Sequence, residues 1–247
     1  MTQAVDTHAL VRGYLAAKRA VIDHGHIDEL IWQADVATVP VTAASFTREA
    51  AWVVLNAGMR ESVVRGLFGR LAAALFEFDP RRIVENPEEA RDSALMIFAH
   101  RRKIEAIVQI AQIANSTGTR RLRQELRDPE PFLRALPYIG PITWRHLAKN
   151  LGVDVAKHDR HLVRLSAATG RPSVDEVCAE IAEWTGDPTS VVDVVLWRWA
   201  LIHAQKCGRA CDGVPVGWRR TDARWINGSS LGADGSVGCE RRLHLRA

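Results

Sequence analysis

Apolar residues recur along this chain at helical rather than strand spacing. Leu10, Val11, Tyr14 and Val21 mark a first helix, which Thr7 is placed to cap and Gly25 to end. A second segment covers roughly residues 27–33. Thr47 stands where a cap would open a third helix carrying Ala50, Trp52, Val53 and Leu55, and Gly58 stops it. Val64, Leu67, Phe68, Leu71, Leu75 and Phe78 then form one apolar stripe, closed by Asp79-Pro80. Asn86-Pro87-Glu88-Glu89 has the form of a helix start: a cap, a proline at the first helical position, and acids in the first turn. Ile104, Ile107, Ile110, Ala111 and Ala114 make a further stripe. Ser173 and Glu176 have capping-box spacing for a helix reaching about Thr185. The stretch from Val191 to Gln205 is apolar nearly all round, as a buried central helix would be. Two-residue alternation is scarce, so the expected fold class is all-α. The expected division is N-terminal helices over 1–44, a helical core over 45–206, and an irregular tail over 207–247, where Gly, Ser, Arg and Asp replace any periodicity.

Composition narrows the class without naming a function. The chain has 247 residues, 47% hydrophobic and 25% charged, which fits a globular protein and excludes a fibrous or compositionally disordered one. A net charge of +4 is compatible with a nucleic-acid partner but does not require one. The basic residues are uneven: Arg120, Arg121, Arg123, Arg127, Arg134, Arg145 and Lys149 crowd around residues 136–152, as a nucleic-acid contact or as a solvated helix face. Asp6 and His8 interrupt what a secretory signal would need, so the four cysteines are expected to be reduced thiols of a cytoplasmic protein, nucleoid-associated if bacterial. No apolar run approaches the ~20 residues of a membrane span, and Val191–Ile202 is broken by Asp193 and Arg198.

The richest stretch is Leu136-Pro-Tyr-Ile-Gly-Pro-Ile-Thr-Trp-Arg-His-Leu-Ala-Lys-Asn-Leu-Gly152. Residues 129–135 supply a short helix. Leu136 and Ile139 are apolar anchors, Gly140 gives the turn its freedom, and Pro141 is placed to start a second helix. Free N–H groups at that helix N-terminus can hold a phosphate oxygen whatever the base sequence. The alternative is a plain helical hairpin. Asp159 follows, at the mouth of a helix over 160–168. An aspartate there caps the helix. The same placement favours its ionised form, which is what stabilising a cationic sugar or orienting an attacking water requires.

Leu136-Pro-x-Ile-Gly140 followed by Asp159-x-His-Leu-x-Arg164 resembles the helix–hairpin–helix DNA glycosylases of the endonuclease III and adenine-glycosylase superfamily. The helical pattern over roughly 45–205 fits the family's two-lobed fold. A second, weaker likeness, carried by Phe78-Asp-Pro80 and His100-Arg-Arg-Lys-Ile-Glu-Ala-Ile107, is to 3-methyladenine DNA glycosylase I. The resemblance implies that Asp159 is the catalytic carboxylate. It implies that Leu136, Tyr138, Ile139, Gly140, Pro141, Ile142 and Thr143 grip DNA phosphate, with K+ or Na+ at the turn carbonyls. It also implies that Asn56, Met59 and Arg60 fill the gap left by a flipped base.

Three departures shape the expectation. Ile142 stands where members with strand-cleaving activity carry the Schiff-base lysine, so water is the expected nucleophile. Lys149 and Lys157 remain candidates for a displaced one. Tyr138 replaces the first glycine of the turn. The four clustered cysteines of an iron–sulfur site are missing: Cys207 and Cys211 are close, but Cys178 and Cys239 are distant. Zinc held by His203, Cys207, Cys211 and one more ligand is the alternative to plain thiols, and no resident metal or cofactor is expected. Of eight tryptophans, Trp144 is placed to line a base pocket; Trp52, with Trp197 and Trp199, reads first as core, though Trp52 is also a pocket candidate. The expected protein is a monomeric, monofunctional DNA glycosylase acting on duplex DNA with a damaged, modified or mispaired base. The competing class is a non-catalytic DNA-binding module.

Overall fold

The computed structural model describes residues 5–207. It is all-helical, with no strand among the described residues. The chain divides into two compact units. One is formed by residues 5–30 together with residues 158–207, and the other by residues 31–157. The first is therefore discontinuous, and the two units meet in sequence at 30/31 and 157/158. The tail beyond residue 207, with Cys211 and Cys239, lies outside the described residues.

The first unit contains α1 (Thr7–Asp23), α10 (Arg160–Thr169), α11 (Val174–Thr185) and α12 (Thr189–Cys207). Helix α1 buries Leu10, Tyr14, Ala17 and Val21 and packs on α11 and α12. Its cap is Asp6, whose carboxylate accepts the Ala9 amide at 3.2 Å, and not Thr7. Thr7 is the first helical residue and donates its hydroxyl to Glu180 at 2.6 Å instead. Ser173 does cap α11, accepting the Glu176 amide. Helix α12 buries Val191, Val192, Val194, Val195, Leu196, Trp199 and Ile202, as its continuous apolar run predicts. Asp187, just before it, takes Tyr14 Oη at 2.6 Å and Lys18 Nζ at 2.7 Å. The Arg171 guanidinium grips Glu180 with two bonds, at 2.9 and 2.6 Å, and also donates to the carbonyls of Val5 and Thr169. These bonds tie the chain entering α1 to the end of α10.

The second unit is built round α7 (Arg101–Glu125) and α3 (Ala43–Asn56), which pack against each other. Helices α4 (Glu61–Ala74), α5 (Pro80–Glu85) and α6 (Pro87–Ile97) complete that side, and α8 (Pro129–Arg134) and α9 (Thr143–Asn150) form a hairpin. α2 (Ile27–Asp35) runs across the residue 30/31 boundary. Phe46, Val54, Leu71, Ile104, Ile107, Ile110 and Leu147 belong to one core. Two expectations are corrected. Thr42, not Thr47, caps α3 through a reciprocal box with Ser45; Thr47 is buried one turn in and returns its hydroxyl to Ala43 O at 2.8 Å. The stripe to Phe78 is not one helix. α4 stops at Ala74, and Phe76, Glu77 and Phe78 take positive φ in a tight turn that still delivers Phe78 to the core.

Candidate functional site

The hairpin is held by its apolar anchors. Leu136 is 4% and Ile139 6% exposed, while Tyr138 and Ile142 stand at 43% and 48%. Core residues thus alternate with exposed ones through the turn, and this alternation presents its outer face to solvent. The geometry differs from the expectation in two respects. Tyr138, not Gly140, takes the left-handed conformation, with φ +67°. It does the conformational work of the missing glycine, at a cost that a non-glycine residue pays in that region. Pro141 does not start the second helix: α9 begins at Thr143, with Ile142 as its cap residue. The Gly140 amide donates to Thr143 Oγ1 at 2.6 Å, the Ile139 amide to Leu136 O, and the Trp144 amide to Gly140 O. Among the described residues, the amides of Tyr138, Ile142 and Thr143 have no acceptor. These three are the donors the turn can offer a phosphate oxygen. A monovalent cation would be left to the turn carbonyls, of which those of Leu136 and Gly140 already accept hydrogen bonds.

The far end of α9 is pinned. Gln33 Nε2 donates to Lys149 O, and Asn150 Nδ2 to Glu49 Oε2 at 2.9 Å. Burial pushes the Glu49 carboxyl up, against the opposing influence of Asn150 and Arg48. Gly152 then turns with φ +84° directly against residues 36 and 37.

The Asn56–Arg60 segment is brought to the hairpin by a residue that carried no assigned role in the sequence. Lys103 on α7 is 2% exposed. Its Nζ donates to Leu55 O at 2.6 Å and Ala57 O at 2.7 Å, closing the C-terminal end of α3. The same ammonium lies 5.8 Å from the centre of the Tyr138 ring and 5.9 Å from that of Phe98. His100 meets Tyr138 edge-on at 6.3 Å. Burial lowers the Lys103 pKa, while the two carbonyls favour the charged form. Beyond this anchor, Gly58 turns at φ +72°, and Met59 and Arg60 are exposed. Asn56 is held back, its Nδ2 donating to Trp52 O at 2.9 Å. The signal was present in the sequence: Lys103 falls on the same helical face as Ile107, Ile110 and Ala114, where a charge is costly without acceptors.

In the first unit, Asp159 caps α10. Its Oδ1 accepts the His161 amide at 2.8 Å and the Leu162 amide at 3.1 Å. Among the described residues, Oδ2 has no partner. The carboxylate is half-buried, anchored through one oxygen and open at the other. Before it, His158 Nε2 lies 2.9 Å from Asp175 Oδ2.

The tryptophans are placed differently from the pocket expectation. Trp144 is 5% exposed among the core residues, with the Arg145 guanidinium 4.7 Å from its ring centre. α9 turns this position inward, so in this conformation the indole has no open face for a base. Trp52 packs edge-on against Phe68 at 5.1 Å, with Arg65 over it at 5.5 Å. Lys149 is buried at 7% exposure. Burial, then the charges of Lys157 and Lys149, push His146 well below the usual histidine range. Cys178 is buried in α11. Among the described residues, no helix is long and apolar enough to cross a membrane, and no group of three or more His, Cys, Asp or Glu side chains could hold a metal.

Comparison with protein-family models, curated proteins and solved structures gives no match to this chain.

Proposed function

We propose that the protein is a DNA glycosylase of the helix–hairpin–helix type that releases a damaged, modified or mispaired base by hydrolysis. The single observation that carries the reading is the state of Asp159. It is fixed by two helix amides through one carboxylate oxygen and leaves the other available. A preorganised anion of this kind stabilises positive charge as it develops, without having to reorganise first.

In the proposed reaction the target nucleotide is flipped from the duplex, at a cost of a few kcal/mol that is lowest for a damaged or mispaired base. The N-glycosidic bond breaks with its electron pair leaving on the base, which takes up a proton. Positive charge gathers on the sugar, facing the open oxygen of Asp159. Water adds to the anomeric carbon, loses a proton and leaves an abasic site. The hairpin contributes the amides of Tyr138, Ile142 and Thr143 to a backbone phosphate. Met59 and Arg60, on the exposed turn fastened by Lys103, are the residues proposed to enter the space of the flipped base.

The Ile142 side chain, aliphatic and exposed, stands at the lysine position of the strand-cleaving relatives, so hydrolysis without strand cleavage is the reaction proposed. The experiment is a panel of duplexes carrying oxidised, alkylated, deaminated and mispaired bases, scored for free base. Release from one class supports the reading. Tight duplex binding with no release from any lesion would favour the non-catalytic DNA-binding module.

A further inference from the structure

Gly118, with φ +73°, breaks α7 and sets the face presented by residues 119–127. On that face is an open depression of about 410 Å³ lined by Thr119, Arg120, Arg123, Gln124 and Arg127. Its lining holds three guanidinium groups and no carboxylate. Several other exposed arginines of this unit pair with an acid one turn away on the same helix: Arg65 with Glu61, Arg101 with Glu105, Arg121 with Glu125, Arg134 with Glu130. Here the pattern is broken by sequence. Four residues after Arg120 comes Gln124, and four after Arg123 comes Arg127. Among the described residues, the Arg120 and Arg127 side chains have no partner. Arg123 is held in place by its Nε donating to Val41 O at 2.7 Å.

The neutral lining side chains also offer donors. Thr119 Oγ1 accepts the Ala43 amide at 3.1 Å, which leaves its own proton to give. Gln124 Oε1 accepts from Arg121 at 3.5 Å, which leaves its amide hydrogens. Every lining residue therefore has a hydrogen to donate, and the local charge is uniformly positive. We infer that this depression binds the phosphate backbone of DNA, at a second site separate from the hairpin turn. Arg120 and Arg123 stand about 4.5 Å apart along α7, at 1.5 Å per residue, and Arg127 lies just past the helix end. Three cations lining one depression suit a chain of phosphates better than one free phosphate. The inference rests on the proposed DNA-binding role of the protein.

The test compares two double variants of the full chain with equal loss of charge. Arg120→Gln/Arg127→Gln removes the unmatched arginines of the depression. Arg121→Gln/Arg134→Gln removes arginines already paired with carboxylates. Undamaged duplex DNA is titrated into each from low to moderate salt, and inorganic phosphate is titrated separately. The expected result is about a tenfold loss of duplex affinity for the first variant, with a salt slope shallower by about 1 to 2, and less than about a twofold loss for the second. Equal losses in both variants would reduce the effect to general charge and overturn the inference. So would an unchanged affinity in the first variant, which leaves the proposed glycosylase intact. Millimolar inorganic phosphate binding as tightly per site as duplex DNA, and lost in the first variant, would make this a free-anion site and overturn the DNA assignment. Failure of the wild-type protein to bind any duplex would overturn both proposals together.

Discussion

The Lys103 ammonium lies 5.8 Å from the centre of the Tyr138 ring while its protons are given to the carbonyls of Leu55 and Ala57. One buried cation thus touches the two segments proposed to meet DNA, the Asn56–Arg60 turn and the hairpin. It satisfies carbonyls at the end of α3 that the helix itself cannot, and it faces an aromatic ring held in a left-handed turn. Charge-assisted bonds to buried acceptors are worth about 1.5–3 kcal/mol each, offset by the desolvation of the ammonium. Lys103→Met is therefore expected to destabilise the fold by about 2 kcal/mol in urea unfolding. Unchanged stability would mean that the ammonium is not the fastener of these segments.

Gly152 closes the hairpin against the opposite wall of its unit. A Cβ there would stand 2.8 Å from Ala37 Cα and 2.9 Å from Val36 O, on a backbone with φ +84°. Both obstacles are main chain and cannot swing aside. Gly152→Ala should cost about 2–4 kcal/mol in unfolding free energy, whereas an alanine at Gly69, where the space is open and the backbone helical, should have little effect.

Acid should weaken the first unit through Glu180. Its hydrogen bonds with Arg171, joined by that of Thr7 and the Arg171 charge, hold the carboxyl below its ordinary value of 4.5 despite partial burial. In the unfolded chain the group takes up a proton near that ordinary value, while in the folded chain it does so only at lower pH. The stabilising contribution is complete above about pH 4.5 and is lost as the pH falls through the lowered folded-state value. Glu180→Gln should flatten this part of the stability curve. Parallel acid unfolding curves for the two proteins would contradict that assignment.

Borohydride should trap no covalent complex between the protein and a duplex containing its substrate base. No amine stands at residue 142, and Lys149 is buried. A trapped adduct that disappears in Lys157→Met or Lys149→Met would replace hydrolysis with amine attack.

The helical class was legible in the sequence because burial imposes its period on any amphipathic helix: the faces of α1 and α7 follow their stripes. Helix ends were legible where the deciding group is local, as at Ser173 and Asp159. They were misread at Thr47 and Pro141, where several residues suit the same cap and only packing selects among them. The stripe ending at Phe78 concealed a change of direction because Phe76, Glu77 and Phe78 take unfavourable left-handed angles, which deliver Phe78 to the core and which no residue preference announces. Lys103 illustrates the remaining gap. Its place on an apolar face was visible, but its acceptors lie about fifty residues away in sequence and only the fold brings them together.

Asp159 is the centre of the account, and Asp159→Asn tests it with little structural disturbance, since asparagine caps a helix about as well as aspartate. The measurement is base release from the lesion panel, with duplex affinity and unfolding followed on the same two proteins. The account predicts that Asp159→Asn loses at least about 100-fold in release rate while stability and duplex affinity stay close to those of the wild type. Base release at the wild-type rate by the Asp159→Asn protein would contradict it.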